Sequence, residues 1–229
     1  MLKPKTSDTH PTEPPSQARQ ERWTTRWAVP IALWALGLAI LTNAVVRVGQ
    51  LTASSVPADF DTPHYLDHLP LIMIHLVPGV LFVLLGPLQF SGHIRRRWPA
   101  FHRISGRIWA VCGLLLGTAG VVMNEWFPPV GGPLKYWSTH FFGVALVGCI
   151  IVGMAAIFKG RVDTHRRWML RAFAIGLAPS TQRLLFFPVF AATGRIDDYT
   201  IDVVMSVGWI INGVVAEWIL RRRPTAGAQ

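Results

Sequence analysis

The chain has 229 residues, of which 51% are hydrophobic and only 15% are charged, and its formal net charge is +10. This composition is too apolar and too poor in charge for an ordinary soluble domain, so a membrane protein is the first interpretation. The positive charge would also suit a nucleic acid partner, but its placement along the chain argues against one, because it alternates with the apolar segments.

Apolar runs of about twenty residues, the length that crosses ~30 Å of hydrocarbon, occur six times along the chain. We therefore predict an all-α polytopic membrane protein, a bundle of six transmembrane helices at residues 28-48, 69-91, 105-124, 137-158, 168-192 and 201-220. Residues 1-27 are polar and rich in proline, which predicts a disordered cytoplasmic tail, and residues 222-229 form a second tail.

The basic residues lie on one side of this six-helix topology, in the segments 1-27, 91-107, 159-171 and 221-223. The other side has only Arg47, Lys135 and Arg195, together with most of the acidic residues. Positively charged loops stay in the cytoplasm during insertion, so both termini are predicted to be cytoplasmic.

Four consecutive predicted helices, the second to the fifth, each carry a histidine near one end: His75, His102, His140 and His165. Helices 2 and 4 run in the same direction, so His75 and His140 share a level near the outer surface. Helices 3 and 5 run the other way, so His102 and His165 share a level near the basic surface, roughly 25 Å away. The similar spacing makes helices 2-3 and 4-5 a weak internal repeat.

Ionisable residues in or near the hydrocarbon are costly and usually mark a site. Neutral imidazoles from two helices can ligate a haem iron axially, while arginine side chains bind the propionates. The histidines therefore predict two b-type haems, one between His75 and His140 and one between His102 and His165. The arginines expected near these haems are Arg103, Arg107, Arg166, Arg167 and Arg171 on the basic side and Arg183 on the outer side.

A haem-free membrane protein is the alternative interpretation. The arginines beside His102 and His165 would then bind anionic headgroups of the lipid bilayer. His75, His140 and Arg183 would line a polar cavity or a proton path, as in a small-solute or proton-coupled transporter. Glycines on helices 2 and 3 share faces with the histidines, and they serve either close helix packing or a ligand groove.

Two motifs carry a resemblance to a known family: His102-Arg103-Ile104-Ser105-Gly106-Arg107 and His165-Arg166-Arg167-Trp168-Met169-Leu170-Arg171, the second followed by Gln182-Arg183-Leu184. Over roughly residues 70-195 the chain resembles a family of bacterial predicted membrane proteins, domain of unknown function 2306. This resemblance implies a polytopic protein of the bacterial inner membrane and brings no established activity.

The order of the four histidines is also similar to that in cytochrome b561-type dihaem proteins, whose ligands pair helix 2 with helix 4 and helix 3 with helix 5. This second resemblance implies a transmembrane oxidoreductase that passes electrons from a quinol or a cytoplasmic donor to an outer acceptor. It extends only to His75, His140, His102 and His165.

Overall fold

The computed structural model describes residues 15–52 and 67–222, with side chains in the first segment from Trp27 to Gly49. Within these residues the chain is helical and has no strand. Its seven helices are α1 (Pro15–Thr52), α2 (Leu69–Gln89), α3 (Gly92–Arg97), α4 (Pro99–Trp126), α5 (Pro133–Phe158), α6 (Val162–Thr193) and α7 (Asp198–Arg222). Six of them, all except the short α3, are long and apolar enough to cross a membrane. The predicted all-α chain with six spans is confirmed.

Three helices begin well before their predicted spans. Their extra first turns carry basic and aromatic residues and follow a proline or a loop. α4 begins at Pro99, α5 at Pro133 and α6 at Val162, four to six residues before the predicted starts. Proline favours the first turn of a helix, where its missing N–H is not needed. Hydropathy marks only the part inside hydrocarbon, so it misses these interfacial turns.

The predicted N-terminal tail is partly helical, because α1 begins at Pro15 and its membrane-spanning part begins at Trp27. Residues 1–14 of that predicted tail and residues 223–229 of the C-terminal one lie outside the described residues, as do residues 53–66.

Short polar and glycine signals set the helix ends between the spans. The Ser91 hydroxyl accepts a hydrogen bond from the backbone N–H of Ile94 and so caps α3. Gly194 ends α6 with a left-handed φ of 68°, a conformation that glycine adopts without steric cost. The Asp197 carboxylate accepts hydrogen bonds from the backbone N–H and the side chain of Thr200 at the start of α7. These two bonds lower the pKa of the Asp197 carboxyl.

The helices pack mainly on their neighbours in the chain, so each predicted repeat unit is a pair of adjacent helices. α2 packs on α4, and α5 packs on α6. α4 also packs against α5, whereas α2 and α5 have little direct contact. α1 lies against α2 and α6, and α7 lies against α5 and α6.

Aromatic side chains from three helices fill the middle of the bundle. Phe82 is 0% exposed and Trp109 is 2% exposed, and their rings stack with centroids 4.4 Å apart. The indole N–H of Trp109 donates to the backbone carbonyl of Phe82 at 3.0 Å, so its one polar group is satisfied. Phe173 of α6 and Ile150 of α5 complete this cluster, which we call the aromatic core.

Glycines allow these rings to approach the neighbouring backbones. A side chain at Gly86 would collide with the Phe173 ring, and one at Gly176 would collide with Phe82. At Gly113 an added Cβ would lie 2.8 Å from the Phe82 ring and would also meet Ile150. The structure supports the helix-packing interpretation at Gly86 and Gly113, and Gly176 of α6 makes the same kind of contact outside the predicted set.

Gly113→Val should therefore destabilise the protein, because the added methyl groups overfill a close-packed region at a cost of about 1–3 kcal/mol. Gly148→Val is the matched control, since an added Cβ at Gly148 meets nothing within 4 Å. Thermal unfolding in detergent should show a lower midpoint for Gly113→Val only. Equal midpoints for the two variants would contradict the tight contact.

Candidate functional site

A cavity of about 1020 Å³ lies at the basic end of the bundle and is lined by residues of all seven helices. This volume is at the upper limit of the roughly 300–1,000 Å³ range of small-molecule sites. We call it the basic cavity. The short helix α3 and the start of α4 form one side of it, and the start of α6 forms another.

Positive charge dominates the polar part of the basic cavity. Among the described residues that line it, Asp163 is the one acidic residue, and it pairs with Arg166 at 3.4 Å. Burial lowers the pKa of Arg95, and the nearby Arg166 and Arg96 lower it further. Six arginines line the cavity: Arg95, Arg96, Arg103, Arg107, Arg166 and Arg167. Such a concentration of like charge requires an anion or water to offset the repulsion.

The inner part of the same cavity is apolar. Trp109, Met169 and Phe173 line it and belong to the hydrophobic core of the bundle. The cavity therefore joins an apolar interior to an arginine-rich surface, which is the shape and polarity that suit an amphiphilic anion.

His165 lines the basic cavity, and the structure fixes its orientation. Its Nδ1 is 2.9 Å from the backbone carbonyl oxygen of Gly153 on α5. A carbonyl oxygen only accepts, so Nδ1 carries the proton in the neutral ring and Nε2 keeps its lone pair. Metal-ligating histidines use this arrangement, in which the second nitrogen donates to a carbonyl.

His102 lines the same cavity from α4. Its Nδ1 is buried, and no hydrogen-bond partner for it lies among the described residues. An unsatisfied buried nitrogen costs about 1–3 kcal/mol. His102 and His165 both line the basic cavity, and their two imidazoles, the arginines and the apolar interior are the groups that one haem would need.

His75 and His140 do not make a second such site. His140 uses both ring nitrogens within the protein: Nε2 is 2.6 Å from Glu125, and Nδ1 is 3.0 Å from the carbonyl oxygen of Tyr136. His75 lies against α4, where an added Cβ at Gly120 would be 3.5 Å from its ring. Both histidines contact α4, His75 at Gly120 and His140 at Glu125, and with both His140 nitrogens engaged the arrangement does not fit the predicted outer haem.

The predicted arginines divide into two groups. Arg103, Arg107, Arg166 and Arg167 line the basic cavity, as expected. Arg171 instead forms a bidentate ion pair with Glu217 of α7, with nitrogen–oxygen distances of 2.5 and 3.1 Å. Arg183 donates to the carbonyl of Pro179 one turn earlier in α6. Neither Arg171 nor Arg183 is among the lining residues.

The sequence analysis missed a third histidine and the amide at this site. His93 lines the basic cavity, and its ring lies 6.1 Å from that of Trp98 and 6.3 Å from that of Trp27. Gln89 also lines it and donates to the hydroxyl of Ser105 at 2.8 Å. Ser91, which caps α3, was the available signal that the basic segment is folded rather than a simple loop.

The sequence model of one protein family, described as "Predicted membrane protein (DUF2306)", matches residues 72–220. The chain belongs to this family. The match confirms the resemblance to DUF2306 and extends it through α7. Among curated proteins and among solved structures, nothing matches the chain. Because the chain belongs to DUF2306, the basic cavity lies in an integral membrane protein. No curated protein and no solved structure that matches the chain supports the likeness to cytochrome b561.

Glu217→Gln should lower the free energy of unfolding by about 1–2 kcal/mol, because it removes the charge from a bidentate pair that joins α6 to α7. Asp163→Asn is the control. It removes a carboxylate from the exposed pair with Arg166, and such pairs contribute about 0–1 kcal/mol. Thermal unfolding of both variants in one detergent makes the comparison, and a larger loss in Asp163→Asn would contradict the assigned role of Glu217.

Proposed function

We propose that the basic cavity binds an amphiphilic anion, and that this ligand is one b-type haem, whose iron His102 and His165 would ligate. The observation that carries the proposal is that one cavity joins His102 and His165 with six arginines and an apolar interior. The haem would supply one-electron redox chemistry. The role that follows is electron exchange with a donor such as a quinol that diffuses in the bilayer.

The chain's own residues have separable tasks in this proposal. The Gly153 carbonyl holds His165 with Nε2 free, and a hydrogen bond to the second nitrogen makes such a ligand more basic. Arginines at the mouth, Arg103 and Arg107 among them, would bind the propionate carboxylates by charge-assisted hydrogen bonds. Trp109 and Phe173 would exclude water from the porphyrin.

The proposed protein binds one haem, not two haems that would together carry electrons across the membrane. His140 is hydrogen-bonded to Glu125, and the aromatic core fills the middle of the bundle. Electron transfer across the whole membrane through these histidines is therefore not part of it.

Binding of an acidic lipid in the same cavity is the second candidate, and the exposure of its mouth favours it. Arg96, Arg103 and Arg166 are exposed, and the neighbouring Trp98 and Phe101 are exposed aromatic residues near the same end. Arginines and aromatic residues at a membrane surface bind anionic headgroups and anchor helices in the interface. Under this proposal the protein is a haem-free lipid-interacting protein.

For the location, we propose the bacterial inner membrane with both termini and the basic cavity on the cytoplasmic side. The positive-inside rule supports this orientation, because the basic segments all lie at the same end of the bundle. A fluorescent protein fused after the last residue should therefore fluoresce in cells. An alkaline phosphatase fused at the same point should be inactive, and the opposite result would reverse the orientation.

The purified protein, expressed with added haem precursor, should show a Soret band corresponding to about one haem per chain. His102→Ala and His165→Ala should each abolish the band or shift it to that of a five-coordinate haem, because each removes one axial ligand. His75→Ala and His140→Ala are the matched controls and should retain it. Size-exclusion chromatography of each variant shows whether the bundle is intact.

A wild-type protein without a Soret band would overturn the haem proposal but leave the anion proposal open to test. Native mass spectrometry then decides between the candidates. An acidic lipid retained by the wild type and lost in the double variant Arg103→Gln/Arg107→Gln would support lipid binding. Retention of neither ligand would overturn the assignment of the cavity as an anion site.

A further inference from the structure

A neutral polar pair, Gln89 and Ser105, lies where the end of α2 meets the start of α4. Gln89 is the last residue of α2, and Ser105 is in the second turn of α4. Gln89 lines the basic cavity, whereas Ser105 is buried with 4% exposure. The side-chain nitrogen of Gln89 donates to the hydroxyl of Ser105 at 2.8 Å. The pair thus presents an uncharged amide to a cavity that six arginines line.

The hydroxyl of Ser105 determines which end of the Gln89 amide faces it. Oγ of Ser105 is 2.7 Å from the backbone carbonyl oxygen of Phe101. A carbonyl oxygen only accepts, so the single hydroxyl proton is directed there and Ser105 accepts from Gln89. In a carboxamide only the nitrogen donates. The amide oxygen of Gln89, Oε1, is therefore left as an acceptor that faces away from Ser105.

Gly106 brings this oxygen to the wall of the cavity. An added Cβ at Gly106 would be 2.9 Å from Oε1, so the oxygen rests against the glycine, and Gly106 itself lines the cavity. No donor from the described residues bonds to Oε1. The polar atoms sealed without a partner in the described part of the chain are Nδ1 of His75, Nδ1 of His102 and Oγ of Ser180. Oε1 is not one of them, so it is an open acceptor that a ligand can reach.

The position of Oε1 along α4 is the boundary between the charged and the apolar parts of the cavity. Arg103 is three residues before Gly106 and Trp109 is three residues after it, and all three line the cavity. Residues three apart in a helix lie on the same face, about one turn from each other. A lipid with its phosphate at the arginines and its acyl chains in the apolar interior would have its headgroup near this oxygen.

The charge of the cavity limits the kind of donor that suits Oε1. The six arginines would repel an ammonium group, whereas a hydroxyl is neutral and donates one proton. An ionised haem propionate only accepts, so haem would leave Oε1 to water. An anionic headgroup that also has a hydroxyl can bond both to the arginines and to the amide oxygen.

We infer that Gln89 selects among acidic lipids, because its Oε1 accepts a hydrogen bond from a headgroup hydroxyl. The ligand class is a lipid phosphodiester with a hydroxylated headgroup, for which a glycerol headgroup is the simplest probe. This inference rests on the second candidate function, the binding of an acidic lipid in the basic cavity. The arginines bind the phosphate charge, and Gln89 adds discrimination between lipids of equal charge.

Native mass spectrometry of the purified full-length protein tests this selection. The protein is offered equal amounts of phosphatidylglycerol and phosphatidylmethanol with identical acyl chains. The two headgroups have the same charge, and only phosphatidylglycerol has hydroxyl groups. The wild type should retain phosphatidylglycerol over phosphatidylmethanol by about threefold to tenfold, the ratio expected from one hydrogen bond.

Two variants remove the acceptor in different ways. Gln89→Leu deletes it and should abolish the preference, with lipid still retained. Gly106→Ala should lower the preference because the added methyl group covers Oε1, and it decides alone if Gln89→Leu does not fold. Gly92→Ala is the matched control at another glycine of the cavity, since its Cβ would meet only the Arg96 side chain, at 3.4 Å or more. It should keep the wild-type preference.

Equal retention of the two lipids by the wild type would overturn the inference and leave lipid binding itself intact. A preference that persists in both Gln89→Leu and Gly106→Ala would also overturn it, because another group would then bind the hydroxyl. Retention of neither lipid would remove the second candidate function and this inference with it.

A soluble ligand with the same headgroup is the remaining alternative. Glycerophosphoglycerol, which is the headgroup without acyl chains, should not displace phosphatidylglycerol, because it lacks the part that the apolar interior buries. Displacement at the same concentration would overturn the lipid class.

Discussion

Close packing of the aromatic core against glycine surfaces is the constraint on which the rest of the bundle depends. Phe82 and Trp109 stack in the middle of the bundle, and Phe173 fits over Gly86 because no side chain intervenes. In a membrane the helices gain little from burial of apolar surface alone, so contact of this quality must hold them together. The same core separates the basic cavity from the hydrogen-bonded pair of Glu125 and His140 at the opposite end of the bundle.

The features that could be predicted from the sequence are those that the thickness of the bilayer determines. Span length, helix direction and histidine depth all follow from a hydrocarbon layer of fixed thickness, which is why His102 and His165 were expected at one level and do line one cavity. Depth does not determine which way a helix turns about its axis. His140 has the right depth for a partner on α2, yet it turns toward Glu125, because the carboxylate at the end of α4 offers a charged hydrogen bond.

Two further features lay beyond sequence reasoning because they depend on long-range contacts. Arg171 belongs to a motif full of arginines, and nothing in the motif distinguishes it from Arg166. Its partner Glu217 is 46 residues away, on the last helix. The basic segment before α4 was treated as a connection between spans, but α3 folds it over the cavity and brings Arg95 close to Arg166. Helix rotation and loop folding thus decide which arginines share a site.

The charged side chains at the two ends of the bundle differ in whether the chain itself supplies their partners. At the basic end, arginine cannot release its proton at physiological pH, so the charge of the six guanidinium groups that line the cavity is offset by water or an anion in addition to the one carboxylate of Asp163. At the opposite end, Glu125 bonds to His140 and Tyr136, and Asp202 accepts from the backbone N–H groups of Gly132 and Lys135, so both carboxylates have partners within the chain. Within the described structure the basic cavity is therefore the place where six arginines face a single carboxylate of the chain, which is why the proposed ligand is an anion.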